Sequence, residues 1–180
     1  EQMHLANHKK GNFKVLFKNR KRSIKYFACI LMGVPIWYSV GLLISLSPEI
    51  AQLYHIENLQ LATCFILFQI GITVGDLSSG ILSQLLQTRK KVLLSFMLVA
   101  ILATSVHFSN IKNGIGLNAT SFWMGLGCGY LSVFVTTTAE HFGTNLRVLA
   151  TATVTNFMRG SITLLVPLHL WIQSYFQVDL

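Results

Sequence analysis

The chain has 180 residues, of which 52% are hydrophobic and only 11% charged, with a mean hydropathy of +0.56. Soluble domains carry about 25% charged residues, so an ordinary water-soluble core is the weaker reading. The net charge of +8 does not point to nucleic acid: eight of the 14 basic residues crowd into positions 9–25, directly ahead of an apolar stretch, where anionic headgroups and membrane topology account for them.

Residues 1–25 read as a basic juxtamembrane segment in which Phe13, Leu16 and Phe17 are placed for a short amphipathic helix on the membrane surface, or belong to an irregular tether. Five apolar stretches follow, at 26–46, 59–86, 92–108, 114–138 and 148–175. Crossing a hydrocarbon core takes about 20 helical residues, and an open backbone finds no water there, so each is predicted to be a transmembrane helix. Pro48 suits the end of the first, and Tyr54, His55 and Glu57 fall in the loop that follows. Residues 176–180 begin another loop. The start at Glu1 and the length of the segment ahead of the first span suggest a piece of a longer polypeptide.

Basic residues next to spans are retained in the cytoplasm. Eight precede the first span, Arg89, Lys90 and Lys91 lie between the second and third, and Arg147 lies between the fourth and fifth; Lys112 alone is on the other side. The start of the chain is therefore placed in the cytoplasm. Cys29, Cys64 and Cys128 are isolated within apolar stretches and suggest neither disulfides nor a metal site. Gly125 and Gly129 are four residues apart in the fourth stretch, the spacing of close helix packing rather than of a nucleotide loop. His107 and His169 fall near outer ends of spans and read as interfacial polar groups.

Two charges lie inside spans, where ions are costly and usually face a cavity or a partner. Asp76 is 11 residues before Gln87, and Arg159 is 12 after Arg147, so both lie roughly 16 to 18 Å from the cytoplasmic side. Gln69, Thr73, Asp76 and Gly80 form one polar stripe; Ala152, Asn156, Arg159 and Thr163 form another. Both are expected to face the bundle interior, with Asp76 and Arg159 either locking two helices together or lining a pathway for solute or protons. Trp37, Tyr38, Ser39, Asn118, Ser121 and Tyr130 are candidates for shaping such a cavity, or for packing alone. Thr73-Val-Gly75-Asp76 comes within one residue of an intramembrane aspartyl protease signature, but no second acid lies in a span to share its proton. No enzyme, metal site or cofactor is expected.

Glu140-His-Phe-Gly-Thr-Asn-Leu-Arg147 resembles the Glu-x-Phe-Pro-Thr-x-x-Arg pattern of the major facilitator superfamily, particularly its sugar-porter-like and metabolite carriers, with Gly143 in place of the usual proline. Between the second and third stretches, Gly80-Ile-Leu-Ser83-Gln84 and Arg89-Lys90-Lys91 resemble a second motif of that family, in which Gln84 replaces an acid and Leu85 an arginine. The resemblance implies an all-α membrane protein, five transmembrane helices of a six-helix half of a major facilitator fold. The basic segment and the worn first motif favour the C-terminal half. It further implies secondary transport of a small solute by alternating access, as symport or antiport. Glu140 would pair with Arg147 or with the Arg89, Lys90 and Lys91 cluster in a cytoplasmic gating network that includes Gly80. Gln69, Asp76, Asn156 and Arg159 would border the pathway. The implied partners are the lipid bilayer, the N-terminal half of the transporter, a small solute and, as a candidate co-substrate, protons; the implied location is a multi-pass position in the plasma (inner) membrane. The competing reading is a non-transporting scaffold or receptor-like sensor.

Overall fold

Asn19 starts the first long helix by accepting a hydrogen bond from the backbone N–H of Lys21 at 3.0 Å. In this computed structural model, which describes residues 13–45, 60–109 and 114–176, that cap opens the helix at Arg20 rather than at Tyr26, so Arg20, Lys21, Arg22 and Lys25 stand on the helix itself. The described residues are helical with no strand: α1 (Lys14–Phe17), α2 (Arg20–Tyr38) continued by a π-helical stretch (Ser39–Ile44), α3 (Leu61–Leu86), α4 (Arg89–Ser109), α5 (Gly114–Cys128), α6 (Leu131–His141), α7 (Thr144–Gly160) and α8 (Ile162–Phe176). The expected loop residues Pro48, Tyr54, His55, Glu57 and Lys112, and positions 177–180, lie outside the described residues.

Among the described residues, three helices are long and apolar enough to cross a membrane: Arg20–Ile44 (25 residues, mean hydropathy 2.0), Leu61–Leu86 (26 residues, 1.6) and Arg89–Ser109 (21 residues, 2.1). This is a helical membrane protein. Between the second and third of these the turn is only two residues, because Gln87 closes α3 in the left-handed conformation (φ 50°) and the chain reverses at once into Arg89. The fourth and fifth expected spans are not single helices. Residues 114–141 divide into α5 and α6 around Gly129 and Tyr130, and residues 144–176 divide into α7 and α8 at Ser161. The second interruption is slight, since Ser161 N–H still donates to the Phe157 carbonyl (2.9 Å) and Leu165 N–H to the Ser161 carbonyl (2.9 Å).

The tightest packing is between α3 and α5, where glycines at a spacing of four meet: Gly71 and Gly75 on α3 against Gly125 on α5 and Gly129 just past its end. A Cβ on Gly125 would land on the Phe68 carbonyl oxygen, and one on Gly71 on that of Phe122. Lipid tails supply no hydrophobic drive between helices, so close backbone approach is what such an interface gains from glycine. Gly127 likewise lies against Ala100 of α4.

At the end carrying the basic residues, Tyr26 is buried amid Phe17, Phe142 and Phe157, with ring centroids 5.6, 6.2 and 6.5 Å away. The short α1 therefore folds back onto α2, with Leu16 fully buried and Phe13 and Phe17 half exposed. Phe142 anchors the α6–α7 turn in the same cluster. Four aromatic rings thus fix the position of the turn that follows Glu140.

Candidate functional site: a polar face on α3, α6 and α7

The residues that α3 and α7 bury decide where the polar stripes point. On α3 the buried residues are Cys64, Phe68, Gly71, Gly75 and Ser79; on α7 they are Leu146, Ala150, Val154 and Met158. Gln69, Thr73, Ala152, Asn156, Arg159 and Thr163 are exposed, with Asp76 and Gly80 half-buried. The expectation that both stripes face the interior of this bundle is therefore corrected. Glycine contacts take the inside of α3, and the polar groups are displaced to its outer side.

Asp76 and Arg159 do not meet. Asp76 Oδ1 accepts hydrogen bonds from Ser132 N–H (3.1 Å) and Ser132 Oγ (2.9 Å), on α6. The physical reason lies in the broken fourth stretch. Gly129 N–H bonds back to the Leu126 carbonyl and Tyr130 N–H to that of Cys128, after which the helix restarts. Ser132 is the second residue of α6, so its amide has no intrahelical acceptor, and Tyr130 supplies no side-chain cap. Asp76 reaches across from α3 and caps the restarted helix, placing a carboxylate against the positive end of its dipole.

Arg159 instead makes a cation–π contact with Trp37 of α2, its Cζ over the ring and 5.0 Å from the centroid. Neighbouring Tyr38 Oη lies 3.5 Å from His169 Nδ1 of α8. The side chains of Gln69, Asn156 and Arg159 make no hydrogen bond among the described residues. A cavity of about 480 Å³ lies between α2 and α7–α8, with Phe27, Ile30, Asn156, Phe157, Gly160 and Leu164 in its wall. Another, about 390 Å³, lies between the π-helical end of α2 and α4, at Pro35, Tyr38, Ser39, Met97, Thr104 and Phe108. Proline explains the irregularity there: Pro35 has no N–H for the Leu31 carbonyl, and the helix widens one turn later.

At the basic end, Glu140 Oε1 pairs with Arg89 Nη2 at 2.6 Å, tying the C-terminal end of α6 to the N-terminal end of α4. Of the two partners left open by the sequence, the structure selects Arg89, while Lys90 and Lys91 are exposed. Arg147 Nε donates to the Ala139 carbonyl (3.2 Å), satisfying an acceptor in the last turn of α6. Gly80 and Gly143 stand in open space, with nothing within 4 Å of an added Cβ.

Other candidates are structural. Tyr130 is fully buried and donates to the Met32 carbonyl at 2.8 Å; Ser121 is buried and donates to the Leu117 carbonyl at 2.8 Å. Asn118 accepts from Cys64 Sγ at 3.3 Å. His107 is not interfacial: it is completely buried, with Nδ1 2.8 Å from Thr120 Oγ1, because α5 covers that side of α4. What sequence reasoning missed is Ser132, the group that holds Asp76. Its only signal was the Gly129–Tyr130 pair, two residues ahead.

No protein-family model matches this sequence, and no curated protein or solved structure matches it.

Proposed function

We propose that this chain is one half of a secondary transporter of the major facilitator type, moving a small solute by alternating access. The observation that carries the reading is the outward polar face. α6 packs against both α3 and α7, and all three present polar groups away from the core that they share. Free amides and a guanidinium at membrane depth are costly in lipid, so such a face needs water, solute or a second helical bundle against it. A companion half that rocks against this one would supply all three in turn. The five helical passes, counting α5–α6 and α7–α8 as one each, then correspond to five of six helices in a half. In this reading the protein is a multi-pass one of the plasma membrane, and the positive-inside bias supports putting its Arg89–Glu140 end on the cytoplasmic side.

Adjacent residues on α3 provide the test. Thr73 is on the polar stripe and Val74, at the same depth, is about 100° further round on the exposed apolar side. In the full-length gene product, Thr73→Cys is expected to react with a charged, water-soluble thiol reagent at least tenfold faster than Val74→Cys. The three cysteines of this chain are buried and add little background. Equal, slow reaction at both positions from both sides of the membrane would favour the scaffold reading and remove the transport pathway.

The Arg89–Glu140 pair acts in this reading as a cytoplasmic latch. Both side chains are partly exposed, so the pair is worth about 0 to 1 kcal/mol. Glu140→Gln is accordingly expected to leave folding intact and to raise cytoplasmic-side labelling of Thr73→Cys by up to about fivefold, the population shift that about 1 kcal/mol supports. An unchanged labelling ratio would show that the pair does not bias the gate.

A further inference from the structure

We infer that Arg159 is the recognition group for an organic oxyanion, a carboxylate foremost, and that the transported solute is therefore an anion; the second step rests on the transport reading above. The argument begins with acid counting. The chain has six acidic residues, and two of them, Asp76 and Glu140, are among those described. Both are engaged elsewhere: Asp76 caps α6 through Ser132, and Glu140 holds Arg89. Arg159 has no carboxylate partner among the described residues.

Its guanidinium is nevertheless held in place. Its Cζ lies over the ring of Trp37, within the part of α2 long and apolar enough to cross a membrane, so the charge sits at membrane depth rather than among headgroups. An aromatic ring supplies attraction for the charge but no hydrogen-bond acceptor. None of its five donors has an acceptor among the described residues, and a planar fork of unpaired donors matches the two oxygens of a carboxylate. Asn156, one helical turn before Arg159 on the same exposed stripe, offers a further amide and lies in the wall of the 480 Å³ cavity. The rest of that wall, with Phe27, Ile30, Phe157 and Leu164, suits the apolar body of a small organic acid. Asp76 does not repel such a ligand strongly, since its charge is met by two donors and a helix terminus.

The test uses the full-length protein in nanodiscs of phosphatidylcholine, with benzoate, succinate and inorganic phosphate as probes and benzamide as the uncharged counterpart of benzoate. Thermal unfolding and tryptophan emission are followed, the latter sensitive to Trp37. At least one oxyanion is expected to bind saturably while benzamide does not. Arg159→Gln should weaken that affinity at least tenfold, Arg159→Lys should weaken it less because an ammonium lacks the fork, and Trp37→Phe should retain it. The lysine variant, which keeps the charge, carries the test if the glutamine variant does not fold. The inference is overturned if none of the three oxyanions binds, if benzamide binds as well as benzoate, or if affinity survives Arg159→Gln. Replacing part of the lipid with phosphatidylglycerol separates the sources: stabilisation by that lipid alone, lost in Arg159→Gln, would assign the guanidinium to a headgroup and overturn the solute. Proteoliposome uptake separates the two readings. Anion binding without uptake would overturn transport and leave the site standing, whereas uptake of glucose with no anion bound would overturn the site and leave transport standing.

Discussion

Gly125→Val is expected to destabilise the protein by about 3 kcal/mol, the upper end of the usual cost of overpacking. A side chain there has no rotamer that avoids the neighbouring helix, because its first carbon already falls on the Phe68 carbonyl and lies 3.1 Å from the Ile72 amide nitrogen. Both obstacles are backbone. At Gly33, by contrast, the obstruction is the flexible end of Met158, which can move aside. Denaturant titration in mixed micelles should therefore rank Gly125→Val well below Gly33→Ala, with Gly80→Ala neutral or slightly stabilising, since alanine is the better helix former by about 1 kcal/mol and Gly80 meets nothing. Equal stability of the Gly125 and Gly80 variants would mean that α3 and α5 do not cross at their glycines.

Asp76→Ala is expected to cost about 0.5 to 2 kcal/mol, the usual loss of a helix cap, because it removes the acceptor of the Ser132 amide and hydroxyl. Asp76→Asn keeps an acceptor oxygen and should lose only a fraction of that. The pair of variants therefore separates the two roles the carboxylate can have. If its work is capping, asparagine preserves both folding and the reactivity of Thr73→Cys; if its charge serves the pathway, asparagine preserves folding while transport is lost. Hydrogen exchange at the start of α6 reports the cap directly, and protection of the Ser132 amide unchanged in Asp76→Ala would contradict it. Ser132→Ala is expected to be milder than Asp76→Ala, as it removes the hydroxyl bond but keeps the amide bond.

Apolar stretches near 20 residues, the confinement of arginine and lysine to alternate gaps, and the repeat of Gly125 and Gly129 are properties of composition and spacing, and the sequence alone determined from them that this chain is a helical membrane protein with a glycine-packed helix. It also determined the polar stripes on the second and fifth stretches, since a period of 3.6 depends only on local geometry. Their direction was a different matter. Whether Thr73 points into the bundle or away from it depends on which face of α3 its neighbours claim, and the claim was made by Gly71 and Gly75, four residues apart like their partners Gly125 and Gly129. The matched depth of Asp76 and Arg159 likewise measured distance along the membrane normal and carried no information about lateral placement. Tertiary structure decided that Asp76 lies against the break in the fourth stretch and Arg159 against Trp37. It also chose Arg89 over Arg147 for Glu140, because the turn at Gln87 and the aromatic anchor at Phe142 bring the ends of α4 and α6 together, while Arg147 is drawn to the Ala139 carbonyl at the C-terminal end of α6.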